Sequence, residues 1–223
     1  MTFDAVLFDC DGVLVDSEPI TNGVLRDMLG ELGWHMTVQE SMTLFVGKAL
    51  KEETEMIAQH TGHPVGAEWI RTFQERRNTA LRERLTAIPN IHAAMEEIHA
   101  RFAGRIACAS GADRFKVEMQ LRQVGLMEYF EGRIFSGYET PRSKPFPDVY
   151  LAAAAALNVD PRRCAVVEDS VTGAQAGLAA GCTVFGYCPD AAGHSGAAAM
   201  RAAGVERLFD DMALLPGLLS RAD

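Results

Sequence analysis

Residues 2–17 read Thr2-Phe3-Asp4-Ala5-Val6-Leu7-Phe8-Asp9-Cys10-Asp11-Gly12-Val13-Leu14-Val15-Asp16-Ser17, an apolar run that ends abruptly in two aspartates and a glycine. Turn chemistry at Gly12 bounds Val6, Leu7 and Phe8, which predicts a buried strand ending near Asp9. A strand apolar on both faces belongs in a parallel sheet. Open parallel sheets bind ligands beyond the carboxyl ends of their strands, where Asp9 and Asp11 would project. Two carboxylates in one crevice repel, so the pair implies a bound cation or a shared proton. Taken alone, the same residues also fit a solvated turn with Gly12 as its turn glycine.

Working outward, residues 17–85 lack strand patterning. Val24, Leu25, Met28, Leu29 and Leu32 form a helical stripe closed by Gly33. Leu50, Thr54, Ile57 and Ala58 predict a second helix stopped by Gly62 and Pro64, and 67–85 holds one or two more. From Pro89 onward helices and strands alternate. Helical stripes at 91–102, 113–124, 147–157 and 171–180 separate strands at 105–109, 133–136, 164–167 and 183–186. Such alternation predicts an α/β, Rossmann-like parallel-sheet core, formed by 1–16 and 86–223, with 17–85 inserted as an all-helical domain. Gly173, Gly177 and Gly181, four apart, predict close packing of a helix on the sheet.

The 223 residues suffice to bury roughly 70% of the unfolded surface. Apolar residues make up 48% and no run approaches a spanning helix, so no membrane partner is expected. Asp4 and Asp9 interrupt the N-terminus, which argues against a secretory signal. A net charge of −9 disfavours nucleic acid as a partner but leaves room for a locally positive pocket binding a small anion. Five cysteines (10, 108, 164, 182, 188) in or beside apolar runs match no zinc spacing and read as reduced core thiols of a cytoplasmic protein. The six histidines form no metal-ligand spacing and read as structural or surface residues.

Other polar residues also fall at strand ends. Ser110 and Gly111 follow the strand at 105–109, and Glu168 and Asp169 follow Val166-Val167. Lys144 sits among prolines in the loop before the 147–157 helix, and lysine is scarce, occurring only at 48, 51, 116 and 144. Singly, Ser110 and Asp169 fit helix N-caps, and Lys144 a surface loop. Gathered at the carboxyl ends of one sheet they mark a site.

Together these pieces resemble the haloacid dehalogenase superfamily. Its motifs match, in order, Asp9-Cys10-Asp11-Gly12-Val13-Leu14-Val15-Asp16-Ser17-Glu18, Ala109-Ser110-Gly111, Lys144-Pro145-Phe146-Pro147-Asp148 and Val166-Val167-Glu168-Asp169-Ser170-Val171-Thr172-Gly173. The helical insertion looks like the cap of the subgroup that includes β-phosphoglucomutase and many sugar-phosphate phosphatases. Phe135-Ser136-Gly137-Tyr138 and Tyr187-Cys188-Pro189-Asp190 look similar to stretches in 6-phosphogluconate phosphatase-like members.

The chemistry agrees with the resemblance. A carboxylate attacking a phosphate dianion meets repulsion of several kcal/mol, so the site must supply positive charge. The expected cofactor is Mg2+, held by Asp9, the Asp11 carbonyl, Glu168 and Asp169. Lys144, Ser110 and backbone N–H groups near Gly111 would hold phosphate oxygens. Asp9 would be the nucleophile, and Asp11 the acid and then the base. Dehalogenases of the superfamily lack an aspartate two positions after the nucleophile, so Asp11 favours phosphoryl transfer. A mutase is the alternative. The β-phosphoglucomutases carry a histidine shortly after the first motif and a cap arginine, where this chain has Thr21 and Leu50. A phospho-accepting signalling module is more remote, because such modules lack a helical cap. The expected partner is a small phosphorylated molecule met by a monomer or weak homodimer, with Lys48 and Arg77 on the cap contacting an anionic group and the cap closing over the core.

Overall fold

β1 (Ala5–Phe8) lies inside a six-stranded sheet because none of its four residues is polar and all four are buried. The computed structural model describes residues 2–45, 50, 53–190 and 194–220. It divides into two compact units, Met1–Asp16 with Thr86–Asp223, and Ser17–Leu85.

In the second unit, α1 (Glu18–Glu31), α2 (Val38–Phe45), α3 (Thr54–Thr61) and α4 (Ala67–Arg84) gather Leu25, Met28, Leu29, Phe45, Ile57, Val65 and Phe73 into a core. α3 ends at Gly62, whose φ of 71° is the left-handed cap predicted for that glycine. Residues 67–84 form one helix. α2 was not expected, though its start is a capping box: Thr37 N–H donates to Glu40 Oε2 at 2.8 Å, and Glu40 N–H to Thr37 Oγ1 at 3.2 Å. Its short apolar stripe hides it from a search for long periodic runs.

The first unit continues with α5 (Ile91–Arg101), β2 (Ile106–Ser110), α6 (Arg114–Gln123), α7 (Met127–Phe130), β3 (Ile134–Ser136), α8 (Asp148–Ala156), β4 (Cys164–Glu168), α9 (Val171–Ala179), β5 (Thr183–Tyr187), α10 (Ala197–Ala202), β6 (Arg207–Phe209) and α11 (Leu215–Ser220). All strands run parallel in the order β3-β2-β1-β4-β5-β6. This is the Rossmann-like α/β architecture that strand-helix alternation predicts. β6 and the helices around it were not expected; three residues are too few to show a period. The chain steps outward from β1 to β3, then returns to lay β4 on the other side of β1. That reversal opens a crevice at the carboxyl ends of β1 and β4, the usual ligand site of such sheets.

The sheet is floored tightly where α9 crosses it. A Cβ on Gly177 would stand 2.9 Å from Val184 Cγ2 and 3.1 Å from Val166 Cγ1, so only hydrogen fits between helix and strands. All five cysteines are free thiols. No described helix is long and apolar enough to cross a membrane. Because α9 cannot approach β4 and β5 with a larger residue, Gly177→Val is expected to cost about 2 kcal/mol and several degrees of melting temperature. Gly217→Ala, which places its methyl in open space, should leave thermal and urea unfolding nearly unchanged.

Candidate active site

Asp9 follows β1 directly, and its N–H donates to Val167 O at 3.0 Å, so the last rung between β1 and β4 sets its direction. The chain then turns through Gly12, whose φ of 76° suits glycine. A Cβ there would collide with the Asp169 carboxylate, so the glycine also lets the two loops meet.

On the neighbouring strand, Glu168 ends β4 fully buried. Its Oε1 accepts from Lys144 Nζ at 2.7 Å and Tyr150 OH at 2.8 Å, and its Oε2 from Asp169 N–H, Ser170 N–H and Ser170 Oγ at 3.0–3.1 Å. Ser170, not Asp169, caps α9, accepting from Gly173 N–H at 3.1 Å. A Cβ on Gly173 would fall on the Glu168 carboxylate, so this glycine leaves the room that the side chain occupies.

Lys144 reaches the same point from the loop after β3, through a cis Lys144–Pro145 bond. Its ammonium lies 2.7 Å from both Asp9 Oδ1 and Glu168 Oε1. Burial works against the charged lysine, but Asp9 and Glu168 outweigh it and hold its pKa well above the ordinary range. Burial dominates at Asp9 and, helped by Glu168 and Asp11, pushes its carboxyl up to about 7 against the pull of Lys144.

Carboxylate oxygens of Asp9, Glu168 and Asp169 lie within 4.8 Å of one another, and all three residues are buried. Three buried carboxylates facing one ammonium leave an excess of negative charge built from hard oxygen donors, which fits a divalent cation such as Mg2+.

The Asp11 carboxylate is held by α6. It accepts from Lys116 Nζ at 2.8 and 2.9 Å and from Gln120 Nε2 at 2.8 Å. Neither donor stands out as a site residue in the sequence, since two polar residues four apart on a helix make no motif. Ser110 ends β2 almost fully buried, with its Oγ accepting from Ala112 N–H at 3.0 Å. It does not cap α6; Asp113 does, accepting from Lys116 N–H at 2.9 Å. The β1–β2 register pairs Phe8 with Cys108, which carries Ser110 level with the first residues past β1, and Gly111 stays exposed beside it.

The loop after β5 adds two residues that a sequence search had no means of finding. His194 Nε2 lies 2.9 Å from Gly12 O, and Ser195 N–H donates to Asp169 O at 2.9 Å. A lone histidine gives no signal of such a role. Arg77 belongs to the second unit, in α4, where its guanidinium donates to Asn78 Oδ1 at 2.9 and 3.1 Å and stands over the Phe73 ring. Lys48 lies outside the described residues.

Comparison with known proteins gives the family. A model of the haloacid dehalogenase-like hydrolase family matches residues 3–181. A 6-phosphogluconate phosphatase of Escherichia coli K12 is 33% identical over 196 residues, 84% of this chain and 83% of that protein. The crystal structure of a haloacid dehalogenase-like protein from Agrobacterium tumefaciens C58 superposes with a TM-score of 0.84 at 32% identity, covering 98% of each chain. A second, a haloacid dehalogenase family hydrolase from Deinococcus radiodurans R1 with bound phosphate and sodium, does so with a TM-score of 0.79 at 36% identity, covering 99% of each. With its four motifs converging on one crevice and the family model spanning most of its length, the chain belongs to the haloacid dehalogenase-like hydrolases and is an enzyme of their phosphoric monoester hydrolase kind.

Proposed function

We propose that this enzyme is a Mg2+-dependent phosphatase that hydrolyses a sugar or sugar-acid phosphate through an aspartyl-phosphate on Asp9. The observation that carries the reading is the Asp9 carboxylate itself, buried, 2.7 Å from the Lys144 ammonium and clustered with Glu168 and Asp169. A nucleophile meant for a phosphate dianion needs such a setting, because unscreened like charges would otherwise forbid the approach.

In this reading an Asp9 oxygen attacks phosphorus as the bond to the leaving oxygen breaks. Asp11 gives that oxygen its proton, and the alcohol departs. Asp11 then takes a proton from water, whose oxygen attacks phosphorus and releases phosphate with Asp9 regenerated. Lys144 offsets charge on the transferring group while staying protonated. Ser110 and the turn at Gly111 hold a phosphate oxygen at the end of β2. Asp9, Glu168, Asp169 and the Asp11 carbonyl would hold Mg2+, which supplies Lewis-acid stabilisation of the charge gathering on phosphate. The substrate class follows the similarity to 6-phosphogluconate phosphatase. Arg77 and Lys48 are the candidates to meet a second anionic group.

Release of inorganic phosphate from a panel of sugar and sugar-acid phosphates, with and without Mg2+, tests the reading. Asp9→Asn should lower turnover by about 10³-fold or more while the protein still folds, as circular dichroism and cooperative unfolding would show. Undiminished activity would remove Asp9 as nucleophile. Gly173→Ala should cost about 100-fold in kcat/KM, because its methyl displaces Glu168 from Lys144 and the acidic cluster.

The metal-free protein should also show a specific pH dependence. Asp9 titrates near 7 when folded, against 3.8 as the ordinary value. The folded state therefore binds the extra proton between these values, and stability falls as pH rises through that window. Urea titrations from pH 4 to 8 in EDTA should show that fall, flattened in Asp9→Asn. An identical slope in both proteins would contradict the assignment.

A further inference from the structure

α6 starts four residues past Ser110 and carries Lys116 and Gln120 four positions apart, on one face. Both side chains are buried although both are polar, with exposures of 5% and 0%. Lys116 Nζ contacts both oxygens of Asp11, and Gln120 Nε2 donates to Oδ1. Behind them the Cys10 thiol donates to Gln120 Oε1 at 3.7 Å. That contact orients the amide, with its oxygen toward the thiol and its nitrogen toward the carboxylate. Asp113 fixes the helix's first turn through Lys116 N–H, so these donors are referenced to the loop that carries Ser110.

Stability does not account for this cluster. A buried ion pair rarely returns more than its desolvation cost, and apolar side chains of similar volume would fill the same space as well. Direction does account for it. An aspartate free to rotate visits several χ1 wells, whereas proton transfer needs the carboxyl within hydrogen-bond reach of one atom.

We propose that Lys116 and Gln120, backed by the Cys10 thiol, are positioning residues that aim the Asp11 carboxyl for proton transfer to the leaving oxygen. The inference rests on the phosphatase reading and adds to it a device, carried on α6, that ties the acid to the Ser110 loop.

The test is leaving-group dependence. An alkyl phosphate such as a hexose 6-phosphate needs a proton on its departing oxygen, while 4-nitrophenyl phosphate leaves as a stable phenolate. The quantity to compare is kcat/KM, which covers the steps through the first phosphoryl transfer, for the parent, Lys116→Met, Lys116→Arg and Gln120→Leu. Lys116→Met should lose about 100-fold on the hexose phosphate and about threefold or less on the aryl ester. Gln120→Leu should lose less, with the same asymmetry, and Lys116→Arg should recover part of the loss on the hexose phosphate. Equal losses on both substrates, or none on either, would overturn the positioning role. If Lys116→Met does not fold, the asymmetry in Gln120→Leu and Lys116→Arg decides the matter. A parent enzyme inactive on both esters would instead overturn the phosphatase reading beneath.

Discussion

One ammonium among buried carboxylates organises this molecule. Lys144 Nζ stands 2.7 Å from both Asp9 and Glu168, at the place where the sheet order reverses. Each partner comes from a different segment: the loop after β1, the end of β4, and the loop after β3. The electrostatics thus hold three pieces of chain together, and the cost of burying them is tolerable only because each is hydrogen-bonded. Glu168 accepts five such bonds. Two glycines make the geometry feasible, Gly12 beside Asp169 and Gly173 beside Glu168.

The chain spends its lysines narrowly. Of the four in the sequence, Lys116 is buried and Lys144 has a side chain only 8% exposed, and both face a carboxylate of the first motif. Elsewhere the described surface relies on arginine, whose pairs with Asp4, Glu139 and Asp160 are exposed and worth little each. A compact ammonium on a flexible stem suits a crevice where three groups converge, and a planar guanidinium suits an open carboxylate.

Much of the frame was legible in the sequence because its signals are local and repeated. The β1 run, the strand-helix alternation after Pro89 and the glycines after α3 and α5 each rest on several residues obeying one period. The acidic cluster was legible too, since Asp9, Glu168 and Asp169 all follow apolar strands. What escaped notice rests on distance in space without a pattern in sequence. Lys116 and Gln120 are over a hundred residues from Asp11. His194 approaches Gly12 from a different strand loop. β6 is three residues long, and α2 hides behind a short stripe although its Thr37–Glu40 capping box was there to be read. Ser110 and Asp169, which taken singly also fit helix N-caps, cap neither helix, because Asp113 and Ser170, three and one residues further on, fill those roles.

The central claim is that Asp9 accepts the phosphoryl group. Enzyme acid-quenched during steady turnover of a sugar phosphate, then mapped by peptide mass spectrometry at low pH, tests it directly. A phosphoryl adduct confined to the peptide holding Asp9, and lost on raising the pH, is the result this account predicts. Phosphate release with no adduct, or with the adduct on another residue, would contradict it.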